Sequence, residues 1–416
     1  MNKIIITEWN GKVLTAWQAN DRIVQLSFDD KEEGSILNHI YIGKVKNIAK
    51  NIGAAFVEFD DGKVGYYNLT ESHIHLFANG RIVPSDDPSV RLRPGDEIIV
   101  QVIREAVKTK APVLTGDLSF TGRYCVLTLG NKKVGFSAKI SDGPWKNALK
   151  PKLEEALLQM AGPDGTAFPD AGIIVRTNAY EAGEEALLSE LSSLKETCLS
   201  LLSDAKYRVC GSRVDKNYPS YISVLRDSYA GEAEEVVTDS REIWEELKAY
   251  AADRPQDSSV SLRFYEDPLL PLIKVYNLEG ALDKALSSRV WLRSGGYLVI
   301  EPTEALTVID VNTGKYIGKN TPSETIFRIN MEAAAEIAVQ LRLRNLSGII
   351  IVDFIDMDRE EDKERLLKYL RDLCRKDHVK TVVVDITPLN LVEITRKKTK
   401  RPLYEQAGRG RKGAAL

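Results

Sequence analysis

Cysteine, histidine and long apolar runs are the scarce features of this 416-residue chain. Its four cysteines, Cys125, Cys198, Cys210 and Cys374, are scattered with no paired spacing. That argues against a disulfide framework and against a structural zinc site, and no zinc is expected. Among the four histidines only His73 and His75 are close in sequence. With no further ligand nearby, a polar loop after Thr70-Glu71-Ser72 is a better reading for them than a metal site. No stretch approaches the roughly 18 to 20 apolar residues that a membrane span requires. The segment Met1 to Glu8 turns polar too early for a signal peptide, so a cytoplasmic location is expected. The net charge is −3, so the chain is not a polycation, and nucleic-acid binding would have to rest on local patches.

What is present is the composition of a globular protein, 43% apolar and 28% charged, in a chain long enough for several cores. Through about residue 34, short alternating runs flank Asn10-Gly11, a hairpin signal, and form a small antiparallel sheet that needs a cover. From 35 to 115 come short strands (Ile40 to Val45, Ala54 to Phe59, Val64 to Tyr67, Glu97 to Arg104) with turns at Asp60-Asp61-Gly62 and Arg93-Pro94-Gly95-Asp96. Such a series predicts a small barrel, and the OB-fold is the common one of that size. Residues 116 to 212 mix strands with a helix over Glu181 to Leu202, and a second helical stretch is read from Tyr218 to Ala252. Residues 280 to 400 form an α/β layer. A helix starts at Thr321-Pro322-Ser323-Glu324, with Thr321 as N-cap. Ile349 to Val352 is a continuous apolar strand expected to be buried on both faces. From Arg396 onward the chain reads as a basic tail, with Lys397, Lys398, Lys400, Arg401, Arg409, Arg411 and Lys412.

Two strands of the last unit run into acid: Leu306 to Ile309 into Asp310, and Ile349 to Val352 into Asp353. The carboxyl ends of strands in α/β sheets form ligand crevices. Two carboxylates meeting there repel unless a cation neutralises them. Mg²⁺ suits such a pair, since it takes one or two carboxylates and completes its octahedron with water and phosphate. Asn312, two residues beyond Asp310, shares its face and is placed to bind a phosphate. The other reading is that each aspartate caps a turn or a following helix. Asp358, Glu360, Glu361 and Asp362 read as a solvated helix start, with Asp356 set in a different environment.

Val308 to Lys315, then Asn330 to Arg344, then Gly348 to Met357 resemble, in residue type, order and spacing, the catalytic core of the ribonuclease E/G family. The resemblance extends over nearly the whole chain. It implies a multidomain α/β and α+β fold. Residues 1–34 with 213–279 would be an RNase H-like subdomain, and 35–115 an OB-fold RNA-binding domain. Residues 116–212 would be a 5′-sensor-like domain, 280–400 a DNase I-like catalytic domain, and 401–416 a basic tail. It also implies Mg²⁺ held by Asp310 and Asp353 with Asn312 in support, and hydrolysis of single-stranded RNA to 5′-phosphate and 3′-hydroxyl ends in rRNA processing or mRNA decay.

Phe56, Tyr66 and Lys110 fall on the family's RNA-binding positions; from the residues alone Phe56 also reads as core. Gly122, Val126, Arg176 and Thr177 fall on a 5′-phosphate pocket. The pocket's second arginine falls on Ala138, beside Lys139, and a further supporting arginine falls on Pro388, so sensing of the 5′ end is expected to be weak. The family's Cys-x-x-Cys link has no counterpart after residue 400, so any homodimer is not expected to be zinc-bridged. A weakly catalytic or non-catalytic RNA-binding member is the alternative. A phosphohydrolase for small phosphate esters is another, which the barrel with its rings speaks against.

Overall fold

The computed structural model describes residues 2–30, 36–85, 91–106, 110–158, 171–215, 219, 221, 222, 225, 233–253, 260–314 and 322–408. They fold as two compact units, one built from 1–33 with 231–416 and the other from 34–230. Among the described residues no helix is long and apolar enough to cross a membrane.

In the first unit, Lys3–Trp9, Lys12–Ala19 and Arg22–Asp30 form an antiparallel meander. Both turns, Asn10-Gly11 and Asn20-Asp21, hold two residues at positive φ, the backbone twist that two-residue hairpins favour. Glu235–Thr238 and Ser261–Phe264 extend this sheet in parallel beyond Lys3–Trp9. The second of the predicted helical stretches is therefore divided: 235–238 is strand, and the helix is Arg241–Asp253. Most of 216–232 lies outside the described residues. The cover that the meander needs comes from Leu272, Leu278, Leu282, Leu343 and Leu403, which pack on Ile5, Leu14, Leu26 and Phe28.

The second sheet of this unit has the strand order 289–291, 297–302, 306–312, 348–353, 391–396, 381–386. Leu306–Asn312 and Gly348–Asp353 run parallel, and the helix Pro322–Leu343 crosses between them. Its predicted N-cap, Thr321, lies outside the described residues. Ile309, Val311, Ile350, Val352 and Ile394 alternate onto one face. They bury there against Ala333, Ala334, Ile337 and Leu341 of that helix and Leu366 and Leu370 of Glu360–Cys374. Among the described residues nothing packs on the opposite face. Ile349 is 52% exposed, and Val382 and Val384 are exposed too. The expectation of burial on both faces is thus wrong. An antiparallel neighbour, Leu391–Arg396, flanks the strand on one side, and helices are packed beneath only.

The second unit contains the predicted barrel. Ile40–Ala49, Ala54–Phe59, Lys63–Asn68, Glu97–Arg104 and Val113–Thr115 close in the order first, second, third, fifth, fourth, an OB-like arrangement. Beside it Ser119–Thr121, Cys125–Leu129, Ala171–Val175 and Val134–Phe136 form a four-stranded sheet. Gly143–Leu158 and Glu184–Ala205 pack on that sheet. The helix expected from Glu181 is two helices, Asn178–Ala182 and Glu184–Ala205, parted at Gly183 with φ +87°. His73 is exposed and bonded to Asp117, whereas His75 lies buried in the strand Ile74–Leu76 against the Tyr67 hydroxyl.

Arg396 is not part of a tail. It is buried, and its Nε donates to Asp377 Oδ2 at 2.8 Å while Nη1 donates to Asn345 Oδ1 at 2.8 Å and to the Leu346 carbonyl at 3.1 Å. The chain beyond it stays folded through Gly408, with Leu403 fully buried, while Arg409, Arg411 and Lys412 lie outside the described residues. Burial alone would push the Asp377 carboxyl up. The Arg396 guanidinium, the Val379 N–H and the Thr381 hydroxyl outweigh it and hold the group below its ordinary value. That contribution to stability is present above the unfolded-state pKa and is lost as pH falls through the lowered folded value. Arg396→Leu leaves a buried carboxylate unpaired and should lower the unfolding free energy by about 3–5 kcal/mol at neutral pH. Denaturant melts checked against pH should show the deficit shrinking in acid, where Asp377 takes up a proton.

Candidate active site

Asp310 and Asp353 are register partners on adjacent parallel strands. Alternation along Leu306–Asn312 sends Thr307, Ile309 and Val311 into the core and Val308, Asp310 and Asn312 to the uncovered face. Along Gly348–Asp353 the same alternation buries Ile350 and Val352 and leaves Asp353 exposed on that face. Paired residues on neighbouring strands sit roughly 5 Å apart, so the two carboxylates face one another across the strand gap. Burial, and then the charges of Asp310 and Asp356, push the Asp353 carboxyl above its ordinary value. Asn312 Nδ2 donates to Asp310 Oδ2 at 2.7 Å, which fixes the orientation of that carboxylate. Asp353 ends its strand as expected, whereas Asp310 stands two residues inside its own. Asp356 is exposed on the following loop and accepts from Asn390 Nδ2 at 3.1 Å. Glu360, Glu361 and Asp362 form the first turn of their helix, as the sequence indicates.

The crossing helix Pro322–Leu343 holds both rims of this pair, which the sequence reading did not anticipate. Asn330 is fully buried. Its Nδ2 donates to the Ile355 carbonyl at 2.7 Å and its Oδ1 accepts the Ile355 N–H at 3.2 Å, locking the loop that carries Asp353 and Asp356. Two residues on, the Glu332 carboxylate accepts the Arg293 N–H at 2.6 Å and the Ser294 N–H at 3.2 Å. The turn so held packs against the end of the Asp310 strand. A Cβ on Gly314 (φ +62°) would come within 2.2 Å of the Gly295 carbonyl oxygen, so only glycine fits there. The one sequence signal was a buried-face asparagine amid the apolar positions of the helix.

Among the described residues no group of three or more His, Cys, Asp or Glu side chains is arranged around a single metal position. Two facing carboxylates with an amide beside them are nonetheless a donor set that suits Mg²⁺, which keeps most of its ligands as water or phosphate.

In the second unit Phe56 and Tyr66 are cross-strand partners, their ring centroids 6.3 Å apart and nearly perpendicular. Ala55, Val57, Phe59 and Tyr67 point into the barrel and are fully buried, whereas Phe56 and Tyr66 are half-buried on its outer wall. The core reading of Phe56 therefore fails: its strand turns Phe59, not Phe56, inward. The Tyr66 N–H donates to the Pro112 carbonyl at 2.8 Å, two residues from the exposed Lys110. Gly122, Val126, Arg176 and Thr177 also come together. Val126 pairs with both Thr121 and Ile174, Arg176 Nη1 donates to the Gly122 carbonyl at 2.6 Å, and the Thr177 and Ser137 hydroxyls are 3.0 Å apart. A buried glutamate, unforeseen, organises this corner. Glu190 accepts the N–H groups of Arg123, Tyr124 and Cys125 at 2.6 to 2.9 Å, and a Cβ on Gly122 would meet its carboxyl carbon at 2.4 Å. Ala138 and Lys139 are exposed nearby in sequence after Ser137.

Comparison with known proteins gives the family of the chain. The model of the Ribonuclease E/G family matches residues 119–399. Ribonuclease E of Nostoc sp. is 34% identical over 89% of this chain and 52% of its own length. Ribonuclease E of Synechocystis sp. is 33% identical over 98% of this chain and 58% of its own. Ribonuclease G of Salmonella typhimurium is 33% identical over 90% of this chain and 76% of its own. The chain thus spans little more than half the length of the Nostoc and Synechocystis proteins. By the extent of these matches and the identity they carry, the chain belongs to the ribonuclease E/G family.

Proposed function

We propose that the chain is a Mg²⁺-dependent endoribonuclease acting on single-stranded RNA in the cytoplasm, leaving 5′-phosphate and 3′-hydroxyl ends. rRNA precursors or mRNA would be its substrates. The observation that carries the reading is the Asp310–Asp353 register pair on an uncovered sheet face. Like charges are held there by two strands and a helix clamp, and among the described residues no ion pair joins either carboxylate. On this reading the six-stranded sheet is a DNase I-like catalytic domain, the five-stranded sheet an RNase H-like support, and the four-stranded sheet a 5′-sensor-like domain.

Asp310 and Asp353 would hold the metal, which when bound neutralises the pair, polarises a phosphoryl oxygen and supplies a hydroxide nucleophile. Asn312 keeps Asp310 oriented and offers an amide to the scissile phosphate. Phe56 and Tyr66 take bases by stacking, tolerant of sequence because every base has a π face, and Lys110 draws the phosphates.

Cleavage of a short A/U-rich RNA in Mg²⁺ tests the reading. Wild type should yield 5′-phosphate products. Asp310→Asn and Asp353→Asn should each lose more than the roughly 10–100-fold that removal of an outer-sphere partner costs. A wild type that binds RNA without cutting it would make the chain a non-catalytic RNA-binding member instead.

The repulsion at the pair has its own signature. A carboxyl whose folded pKa is raised destabilises the fold as pH rises from the unfolded-state value through the folded one. In chelator, Asp353→Asn should therefore melt above wild type at neutral pH, and the gap should close in acid. Added Mg²⁺ should raise the melting temperature of wild type and leave that of Asp353→Asn unmoved. The opposite order in chelator would show that the pair is not electrostatically strained.

A 5′-phosphate bound by Arg176 and Thr177 would meet one guanidinium, part of which already donates to Gly122, with alanine at the second arginine position. Single-turnover cleavage of 5′-monophosphate and 5′-hydroxyl versions of one RNA should differ by less than about tenfold, below what a full bidentate clamp would give. A larger difference would restore end sensing.

A further inference from the structure

On the uncovered face of the six-stranded sheet, beside the acid pair, lies a cluster to which neither the family positions nor the proposed mechanism gives a role. The short strand Arg289–Trp291 and its neighbour Tyr297–Pro302 bury Leu298 and Ile300 and turn Arg289, Trp291 and Tyr297 the other way. Trp291 is 64% exposed, an unusual state for the side chain with the most apolar area to hide. Its ring centroid is 5.2 Å from that of Tyr297. The Arg289 guanidinium carbon lies 4.6 Å from the Tyr297 centroid and 5.8 Å from that of Trp291. Among the described residues Arg289 makes no ion pair with a carboxylate, so its charge is not neutralised.

The register sets this cluster in line with the acids. Trp291 pairs with Tyr297, which pairs with Asn312, while Arg289 pairs with Val299, Val299 with Asp310, and Asp310 with Asp353. Neighbouring strands are roughly 4.8 Å apart, so Tyr297 stands one strand from Asn312 and Trp291 two.

We propose that Trp291 and Tyr297, with Arg289, form a nucleobase-stacking subsite for single-stranded RNA, holding a base that flanks the scissile phosphate. The assignment rests on the nuclease reading of the Asp310–Asp353 pair. Its own grounds are continuity with that pair on one sheet face and the chemistry of the cluster. An exposed indole and a half-buried phenol offer π faces, and the guanidinium stacks on aromatic planes while attracting a phosphate. A cation at this edge draws the RNA backbone toward the acid pair. Stacking at this subsite is indifferent to which base is present.

The experiment compares Trp291→Leu, which keeps apolar bulk and removes the π face, with Trp291→Phe, which restores a ring. Both carry a change at an exposed position, so folding is not at risk, and a thermal melt checks it. Binding of fluorescein-labelled RNA is read in the non-cleaving Asp353→Asn background, and KM on the cleaving protein. Trp291→Leu should weaken binding and raise KM about tenfold, with Trp291→Phe recovering most of the loss. Replacing one nucleotide of the RNA with an abasic site should reproduce the deficit at a single position and remove the difference between Trp291→Leu and its parent. Arg289→Gln should flatten the salt dependence of binding by about one phosphate contact. If wild type cuts RNA but Trp291→Leu binds and cuts as it does, the subsite is overturned while the nuclease stands. Unchanged RNA affinity with a shifted sedimentation coefficient would reassign the cluster to protein contact. A wild type that neither binds nor cuts RNA overturns both readings.

Discussion

Two like charges held in register govern the six-stranded sheet of this protein. A parallel strand pair puts Asp310 opposite Asp353, and neither can turn away without shifting its strand by one residue, which would bring every buried isoleucine and valine to the surface. The hydrophobic pattern that stabilises the sheet therefore also enforces the repulsion. Among the described residues nothing covers that face, and the fold keeps the pair in place from the other side. One helix supplies the core residues Ala333, Ala334 and Ile337, the crossover between the two strands, and the polar clamps Asn330 and Glu332.

This division of labour explains what was legible in the sequence. Period-two alternation through Val308-Ile309-Asp310-Val311-Asn312 is enough to set both polar side chains on one face and apart from the core, and the structure agrees. The run Ile349 to Val352 lacks that alternation, so it gave no sign of which face was open. Ile349 and Ile351 are as apolar as their buried neighbours, and only the number of helices available to cover the sheet settles the matter. Arg396 was hidden for the converse reason. Its neighbours in sequence are basic and exposed, and its acceptors, Asp377, Asn345 and Leu346, lie 19 to 51 positions away. Long-range pairing of this kind leaves no local trace.

In the barrel unit the same logic separates rings by strand parity. Phe56 and Phe59 are three apart, hence on opposite faces, and the buried one is set by Ala55 and Val57, which share its parity and fill the barrel. Glu190 shows how a polar residue on an apolar seam can be read after the fact. It sits between Leu187, Leu191 and Leu194 on the buried side of its helix, where an unpartnered carboxylate would be prohibitive. Three backbone N–H groups of the Arg123–Cys125 turn supply the compensation, and they also leave no room for a side chain at Gly122. A structural carboxylate thus shapes the corner where Arg176 and Thr177 meet.

The backbone clamps show how a site of this type is held on a sheet face against which, among the described residues, nothing packs. Strand ends fray where their last carbonyls and N–H groups meet water, and Asp353 is the last residue of its strand. Asn330 meets the backbone two residues later with both halves of its amide, from a position with no solvent exposure. Water cannot compete for those bonds without opening the helix–sheet core, so the stability of the loop is tied to that of the core. Glu332 does the same for the turn beneath Gly314, with a charged acceptor on two N–H groups. Rigidity at the acids is drawn from the helix.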